Sequence, residues 1–267
     1  MGQPSLSGQS AVGDLVLEVE SLNVSRGGAL VVEDASFSIR RKDYVGIVGP
    51  NGGGKTTLLL AILGMIPKQS GAIRLFGEPI ESFSAWEKVA YVSQNAINFD
   101  PSFPLTVKEL VALGRVNRRN LGRRLDKGEW EEVERAIEFM GMVDLSGRRV
   151  GELSGGQKQR AFVAKALVRN PEVIFLDEPV AGVDAATQEK FYQKMSDLNG
   201  RMGITILIVS HDLAAVFCRM SKVICVNREV NVSDIRPGQD PNSILRKAYG
   251  EHFHFVFHEH KCEGEFR

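Results

Sequence analysis

The stretch Gly49-Pro50-Asn51-Gly52-Gly53-Gly54-Lys55-Thr56-Thr57-Leu58 sets glycines, a lysine and a threonine at the spacing G-x-x-x-x-G-K-[ST]. That combination suits the holding of phosphate groups. Glycines let successive backbone N–H groups turn toward phosphate oxygens, and a helix opening at the end of the stretch adds its partial positive charge there. Lys55 would then reach the β- and γ-phosphates, and Thr56 would ligate Mg²⁺. Further along, Asp177 and Glu178 directly follow the apolar run Val173-Ile174-Phe175-Leu176. A carboxylate ending a strand beside a phosphate loop is a candidate ligand for Mg²⁺, which assigns that role to Asp177. Glu178, one residue on, is placed to take the proton of an attacking water as general base. His211 follows a second apolar run, Ile204-Thr205-Ile206-Leu207-Ile208-Val209, and could hold that water in line from the γ-phosphate. Taken alone, without the other motifs, it reads as a structural histidine.

A second anion site is written in Leu153-Ser154-Gly155-Gly156-Gln157. Ser154 is placed as N-cap of a helix from Gly155 to about residue 168, so its hydroxyl and the N–H groups after it point the same way. One phosphate loop does not need this second site. Its use becomes clear only if it meets a phosphate held by another subunit.

The elements that must position these groups follow from periodicity. A short apolar strand, Tyr44-Val45-Gly46-Ile47-Val48, precedes the phosphate loop and a helical run over 56–64 follows it. Residues 15–19 and 35–39 alternate apolar with polar, predicting half-buried strands of an antiparallel layer joined by a turn at Ser25-Arg26-Gly27-Gly28. Short strands are expected at 71–77 and 89–93, the latter ending at Gln94. Helical stripes then take over at 106–113 and again through Trp130, Val133, Ile137 and Met140, stopped by Gly141. These helices form an expected inserted subdomain over about 95–165. The runs at 173–176 and 204–209 read as parallel strands buried on both faces. Asn170-Pro171 closes the helix before the first of them. The order is βαβ-like, with the phosphate loop at the carboxyl end of its strand. The expected fold class is therefore α/β, a parallel-sheet core with an antiparallel β layer and an inserted helical subdomain.

Composition bounds what the loop can serve. The chain has 267 residues, 43% hydrophobic and 25% charged, enough for a sizeable core as one large domain or one domain with an inserted subdomain. Lys+Arg and Asp+Glu both number 33, so no global charge draws it to nucleic acid, and no nucleic-acid partner is expected. The basic run Arg115, Arg118, Arg119, Arg123, Arg124 and Lys127 is either a solvated face or a local contact for a partner or lipid headgroups. Three cysteines, Cys218, Cys225 and Cys262, are odd in number and unevenly spaced, which argues against a disulfide framework and for a reducing compartment. No stretch approaches a membrane span and residues 1–13 lack the regions of a signal peptide, so they are expected to be a disordered leader on a cytosolic chain.

The phosphate loop, Gln94, residues 153–157, Val173-Ile174-Phe175-Leu176-Asp177-Glu178, Asp184 and His211 fall in the order of the motifs of ATP-binding cassette proteins. The sequence resembles an ABC transporter nucleotide-binding subunit over about residues 15–230. The resemblance implies a P-loop NTPase of ABC type, with an ATPase domain over 14–235 and a C-terminal extension over 236–267. It implies ATP and Mg²⁺ as cofactors and a head-to-tail homodimer enclosing two ATP molecules, each between residues 49–57 of one chain and Ser154, Gly155, Gly156 and Gln157 of the other. Gln94 would ligate Mg²⁺ and link it to the helical subdomain, which receives the coupling helices of integral-membrane permease subunits. Asp184 would cross the dimer interface. A substrate-binding protein is an indirect partner, and the implied location is peripheral, at the cytoplasmic face of the inner membrane. Where the family usually stacks an aromatic residue on adenine, this chain has Arg26, whose guanidinium can also stack on a base. Val180 replaces the threonine common after the proline of this strand motif.

Several segments are similar to the zinc and manganese importer branch, with iron-chelate importers close by: Gly52-Gly53-Gly54-Lys55-Thr56-Thr57, Phe103-Pro104-Leu105-Thr106-Val107, Ala112-Leu113-Gly114-Arg115 and Ala181-Gly182-Val183-Asp184. The resemblance therefore implies an ATP-hydrolysing importer motor for divalent metal ions. Alternatives are a siderophore or other-substrate transporter ATPase and a non-transport ABC ATPase. The tail adds His252, His254, His258 and His260, with Glu259 and Cys262. On an extended strand these histidines share one face, opposite Phe253, Phe255 and Phe257. The spacing is not that of a closed zinc site, and the tail reads either as a metal sensor or as a loose His-rich or edge segment.

Overall fold

The computed structural model describes residues 14–94, 104–117, 120–180, 182–250 and 253. In chain order its elements are β1 (Leu15–Arg26), β2 (Ala29–Arg40), β3 (Tyr44–Val48), α1 (Lys55–Ile62), β4 (Ser70–Leu75), β5 (Glu78–Pro79), β6 (Val89–Val92), α2 (Val107–Ala112), α3 (Lys127–Phe139), α4 (Gly155–Leu167), β7 (Val173–Asp177), α5 (Ala185–Met202), β8 (Thr205–Val209), α6 (Leu213–Arg219), β9 (Lys222–Asp234) and α7 (Pro241–Tyr249). All nine strands join one sheet in the order β5-β4-β1-β2-β9-β3-β8-β7-β6.

The apolar runs become the centre of that sheet. Every residue of β3, β7 and β8 is buried, and the three lie side by side in parallel. The antiparallel strands β1, β2, β4 and β5 form the other end. β1 and β2 are each 12 residues long, well beyond the alternating stretches, because their ladder continues with polar residues on the open face down to Arg26↔Ala29. The turn between them is thereby reduced to Gly27 and Gly28. The element that unites the two ends is β9, which pairs in parallel with β3 through Val223, Ile224 and Cys225 and with β2 at Val32↔Arg228.

Alternation along the central strands builds a core on each face. Val45, Ile47, Phe175, Leu207, Val209 and Ile224 pack with α1 and the antiparallel strands. Tyr44, Val48, Ile174, Leu176, Ile206, Ile208 and Val223 pack with helices α2 to α7. Helices α2, α3 and α4, which fall between β6 and β7 in the chain, lie against one another, and each opens on a capping box, at Thr106, Asp126 and Ser154. The C-terminal helix α7 belongs to the same core through Ile244, Leu245 and Ala248. Cys225 is a buried free thiol. Among the described residues no helix is long and apolar enough to cross a membrane.

Candidate functional site

The phosphate loop leaves the sheet at Gly49, with φ 152° and a Cβ position only 1.9 Å from the Val226 carbonyl oxygen. Only glycine fits so close to β9. Gly54 stands as N-cap of α1 at φ 103°, where a Cβ would press on the Val31 carbonyl at 2.8 Å. No side chain caps α1, so the N–H groups of its first turn are left for a ligand. The Lys55 ammonium is buried and donates to the Gly49 and Pro50 carbonyls at 2.9 and 3.0 Å. Burial lowers its pKa, while the nearby Glu178 and Asp177 carboxylates pull the other way. A cavity of about 400 Å³ opens over the loop, lined by Arg26, Asn51, Lys55, Thr56, Thr57 and Glu178 among others. Arg26, at the exposed end of β1, is thus brought to the edge of this cavity.

Asp177 ends β7 at 2% exposure, and its Oδ1 accepts the Thr56 hydroxyl at 3.1 Å. Burial raises its carboxyl above the ordinary range, Glu178 adds to the rise, and hydrogen bonds from Thr56 and Tyr91 oppose it. Tyr91 itself is pushed up to about 12 by burial and by Asp177. The paired Thr56 and Asp177 oxygens, next to a phosphate cradle, are the hard donor set that Mg²⁺ takes.

Glu178 is held in the left-handed region at φ 47°, its N–H bonded to the Val209 carbonyl of β8. Both carboxylate oxygens are engaged: Gln94 Nε2 donates to Oε2 at 2.6 Å, and His211 Nε2 lies 2.8 Å from Oε1. The sequence-predicted base, glutamine and histidine therefore meet at one point. Gln94 faces Glu178 here rather than the Thr56–Asp177 pair. His211 is set by its neighbours: the Ser210 hydroxyl accepts the Asp212 N–H at 2.9 Å and lies 2.7 Å from the Tyr192 hydroxyl.

Ser154 caps α4 as expected, accepting the Gln157 N–H at 3.3 Å while Gln157 Oε1 accepts the Ser154 N–H at 3.0 Å. The cavity over the phosphate loop is lined by none of Ser154, Gly155, Gly156 or Gln157. Instead the first turn of α4 packs on α5, where a Cβ on Gly156 would fall 2.7 Å from Thr187 Cγ2. The same Thr187 donates its N–H to Asp184 at 3.0 Å, so Asp184, exposed as N-cap of α5, is tied to this turn. That hydrogen bonding lowers the Asp184 carboxyl.

Sequence reasoning missed Tyr91, Tyr192 and Tyr249, whose roles depend on partners far along the chain. Tyr249 accepts the Gly49 N–H at 3.0 Å across 200 positions. His252, His254, His258 and His260 lie outside the described residues, as do residues 1–13. Among the described residues no group of three or more His, Cys, Asp or Glu is placed to hold a metal ion.

Comparison with known proteins shows the family. The family model described as ABC transporter matches residues 32–181. The zinc uptake system ATP-binding protein ZurA of Listeria monocytogenes is 40% identical, covering 80% of this chain and 84% of that protein. The manganese transport system ATP-binding protein MntB of Bacillus subtilis is 37% identical over 74% of this chain and 77% of its own length. Among solved structures, cbiO1 from Clostridium perfringens, part of the ABC transporter complex cbiONQ, superposes with a TM-score of 0.75 at 29% identity, over 88% of this chain and 94% of that one. By the matched family model and these relatives, the chain belongs to the ABC transporter family, as an ATP-binding, ATP-hydrolysing member.

Proposed function

We propose that this chain is the motor of an importer for divalent transition metal ions, zinc or manganese, and that it works as a head-to-tail dimer. The observation that carries the dimer is the division of the site. The phosphate loop, Asp177 and Glu178 share one region, whereas the exposed N-terminus of α4 at Ser154 contributes nothing to the cavity there. A second copy turned head to tail would bring its Ser154 to Gln157 turn onto the γ-phosphate and close the site from water. The metal reading is supported by the relatives, ATP-binding proteins of a zinc uptake system and of a manganese transport system. An iron-chelate importer is the second reading, on the sequence likeness alone.

Within the site, Lys55 exchanges its loop carbonyls for the β- and γ-phosphates, and the open first turn of α1 receives their charge. Thr56 and Asp177 would hold Mg²⁺, which would supply neutralisation of phosphate charge. Glu178 takes the proton of the attacking water once Gln94 and His211 release an oxygen, and His211 then orients that water. Asp184 faces the partner, and Arg26 stacks on the base. A groove of about 350 Å³ between β6 and α4, lined by Tyr91, Ser93, Leu113, Val116, Phe162 and Lys165, adjoins Gln94 and suits a permease helix. Docked there, the chain sits peripherally on the cytoplasmic face of the membrane, with residues 14–235 as the ATPase unit and a substrate-binding protein reached through the permease.

Steady-state ATP hydrolysis by the purified chain tests this. The wild-type rate per chain rises with concentration, and Glu178→Gln falls by at least about 10²-fold while forming a dimer that depends on ATP. A rate per chain that is flat with concentration, or an unimpaired Glu178→Gln variant, refutes the composite site. The cargo is read separately, from whether loss of the chain's gene is relieved by added zinc, manganese or a ferric chelate.

A further inference from the structure

The phosphate loop is gripped from outside at its first residue. The β3 ladder ends with Val48 opposite Cys225, so the buried Gly49 N–H lies beyond the reach of sheet pairing. A buried N–H needs a partner. It finds one in the Tyr249 hydroxyl at 3.0 Å.

Tyr249 is the last residue of α7, and α7 is well fixed. Ile244, Leu245 and Ala248 are buried in the core, and Asn227 Nδ2 of β9 donates to the Ala248 carbonyl at 2.9 Å. The Tyr249 ring is stacked on Phe253 at 4.5 Å between centroids. Burial pushes its phenol up, and the Gly49 N–H that would favour the anion does not offset this, so the hydroxyl accepts as a neutral group. Gly49 is held a second time at its other end, where its carbonyl accepts from Lys55. That second hold is temporary, because Lys55 must turn to the nucleotide.

We propose that Tyr249 is a positioning residue for nucleotide binding: its hydroxyl pins the first peptide of the phosphate loop, keeping the loop in shape while Lys55 passes from the Gly49 and Pro50 carbonyls to phosphate. This rests on residues 49–57 being the nucleotide site. The C-terminal helix, more than 180 positions after the loop in sequence, thereby becomes part of the binding apparatus.

The test compares the full-length wild type with Tyr249→Phe, Asn227→Ala and Lys55→Ala. Readouts are ADP affinity by calorimetry, KM and kcat for ATP, and hydrogen exchange at the Gly49 amide. Tyr249→Phe keeps the ring and its stack but loses the hydroxyl. ADP Kd and the ATP KM rise about fivefold, within about three- to tenfold, as the binding-competent loop loses population. The kcat at saturation stays within about twofold, and Gly49 exchanges faster. Asn227→Ala, which leaves the hydroxyl but unties the end of α7, shifts ADP affinity in the same direction by less. Unchanged ADP affinity and unchanged Gly49 exchange in Tyr249→Phe overturn the proposal, as does a fall in kcat alone. Lys55→Ala separates the two levels: if it binds ADP like the wild type, the loop is not the nucleotide site and the underlying reading fails instead.

Discussion

Ser154 has one role in the single chain and another in the proposed dimer, and substitution can separate them. In the chain it closes a capping box with Gln157 at an exposed helix end. Ser154→Ala removes the acceptor for the Gln157 N–H where water can replace it, so the fold loses about 1 kcal/mol, or about 2–4 °C in Tm for a chain of this length. Ser154→Asp keeps an acceptor of equal capping strength, and the helix N-terminus favours the added charge by about 0.3–1 kcal/mol. Its Tm therefore equals or slightly exceeds that of the wild type. Hydrolysis moves the other way. A hydroxyl donating to the partner's γ-phosphate resembles an oxyanion donor, whose removal costs about 10²–10³ in kcat. Aspartate sets a negative charge against that phosphate and loses more than alanine does. The assay is a thermal melt without nucleotide beside ATP hydrolysis at saturating MgATP. An aspartate variant that hydrolyses within about threefold of wild type, less than about 1 kcal/mol of barrier, refutes the reasoning. So does an alanine variant whose Tm falls by more than about 10 °C, which would make Ser154 chiefly a fold residue.

Glu172 supplies a pH-dependent test of the fold. Burial alone would raise its carboxyl, but hydrogen bonds from Arg41 and Lys88 outweigh that and hold it below the ordinary range. Both cations also lie over the Phe76 ring, at 5.5 and 5.2 Å from its centroid. A depressed folded pKa gives stability that is present above the unfolded value, about 4.3, and lost as pH falls through the folded one. Glu172→Gln therefore lowers Tm near pH 7 by about 1–4 °C, reflecting a half-exposed network worth about 0.5–1 kcal/mol. Melts repeated below the unfolded pKa show the gap closing, and an equal gap at both pH values refutes the ion-pair origin. Truncation after Phe253 removes His254, His258 and His260 but keeps the stack on Tyr249. Basal ATPase is retained and any response to added Zn²⁺ or Mn²⁺ disappears; the same response in both chains shows that the tail does not sense metal.

What could be read from sequence was what is decided locally. Continuous apolar runs marked β3, β7 and β8, because strands buried on both faces need no polar residue. Ser154 was legible as a helix start because capping is settled within three residues. The phosphate loop, Asp177, Glu178 and His211 were legible because each directly follows a marked strand. β9 was not foreseen: its charged second half, from Asn227 onward, hides a 13-residue strand whose worth lies in pairing with both β2 and β3. Tyr91, Tyr192 and Tyr249 carry no local pattern. Their partners Asp177, Ser210 and Gly49 are set by the order of strands in the sheet, which no short window contains.

The backbone of Glu178 has a bearing on how such a chain would drift. At φ 47° a side chain with a Cβ costs about 1–2 kcal/mol that glycine would not incur. The adjacent Asp177 is a buried carboxyl whose pKa is raised by burial and, in part, by the Glu178 charge. A duplicated gene freed from selection for hydrolysis would thus relieve backbone strain by replacing its base with glycine, at the cost of the hydrogen bonds to Gln94 and His211. Copies that keep the phosphate loop and the capped helix but carry glycine there would be fossils of the motor, still able to hold nucleotide, and the identity of residue 178 would date when the work stopped.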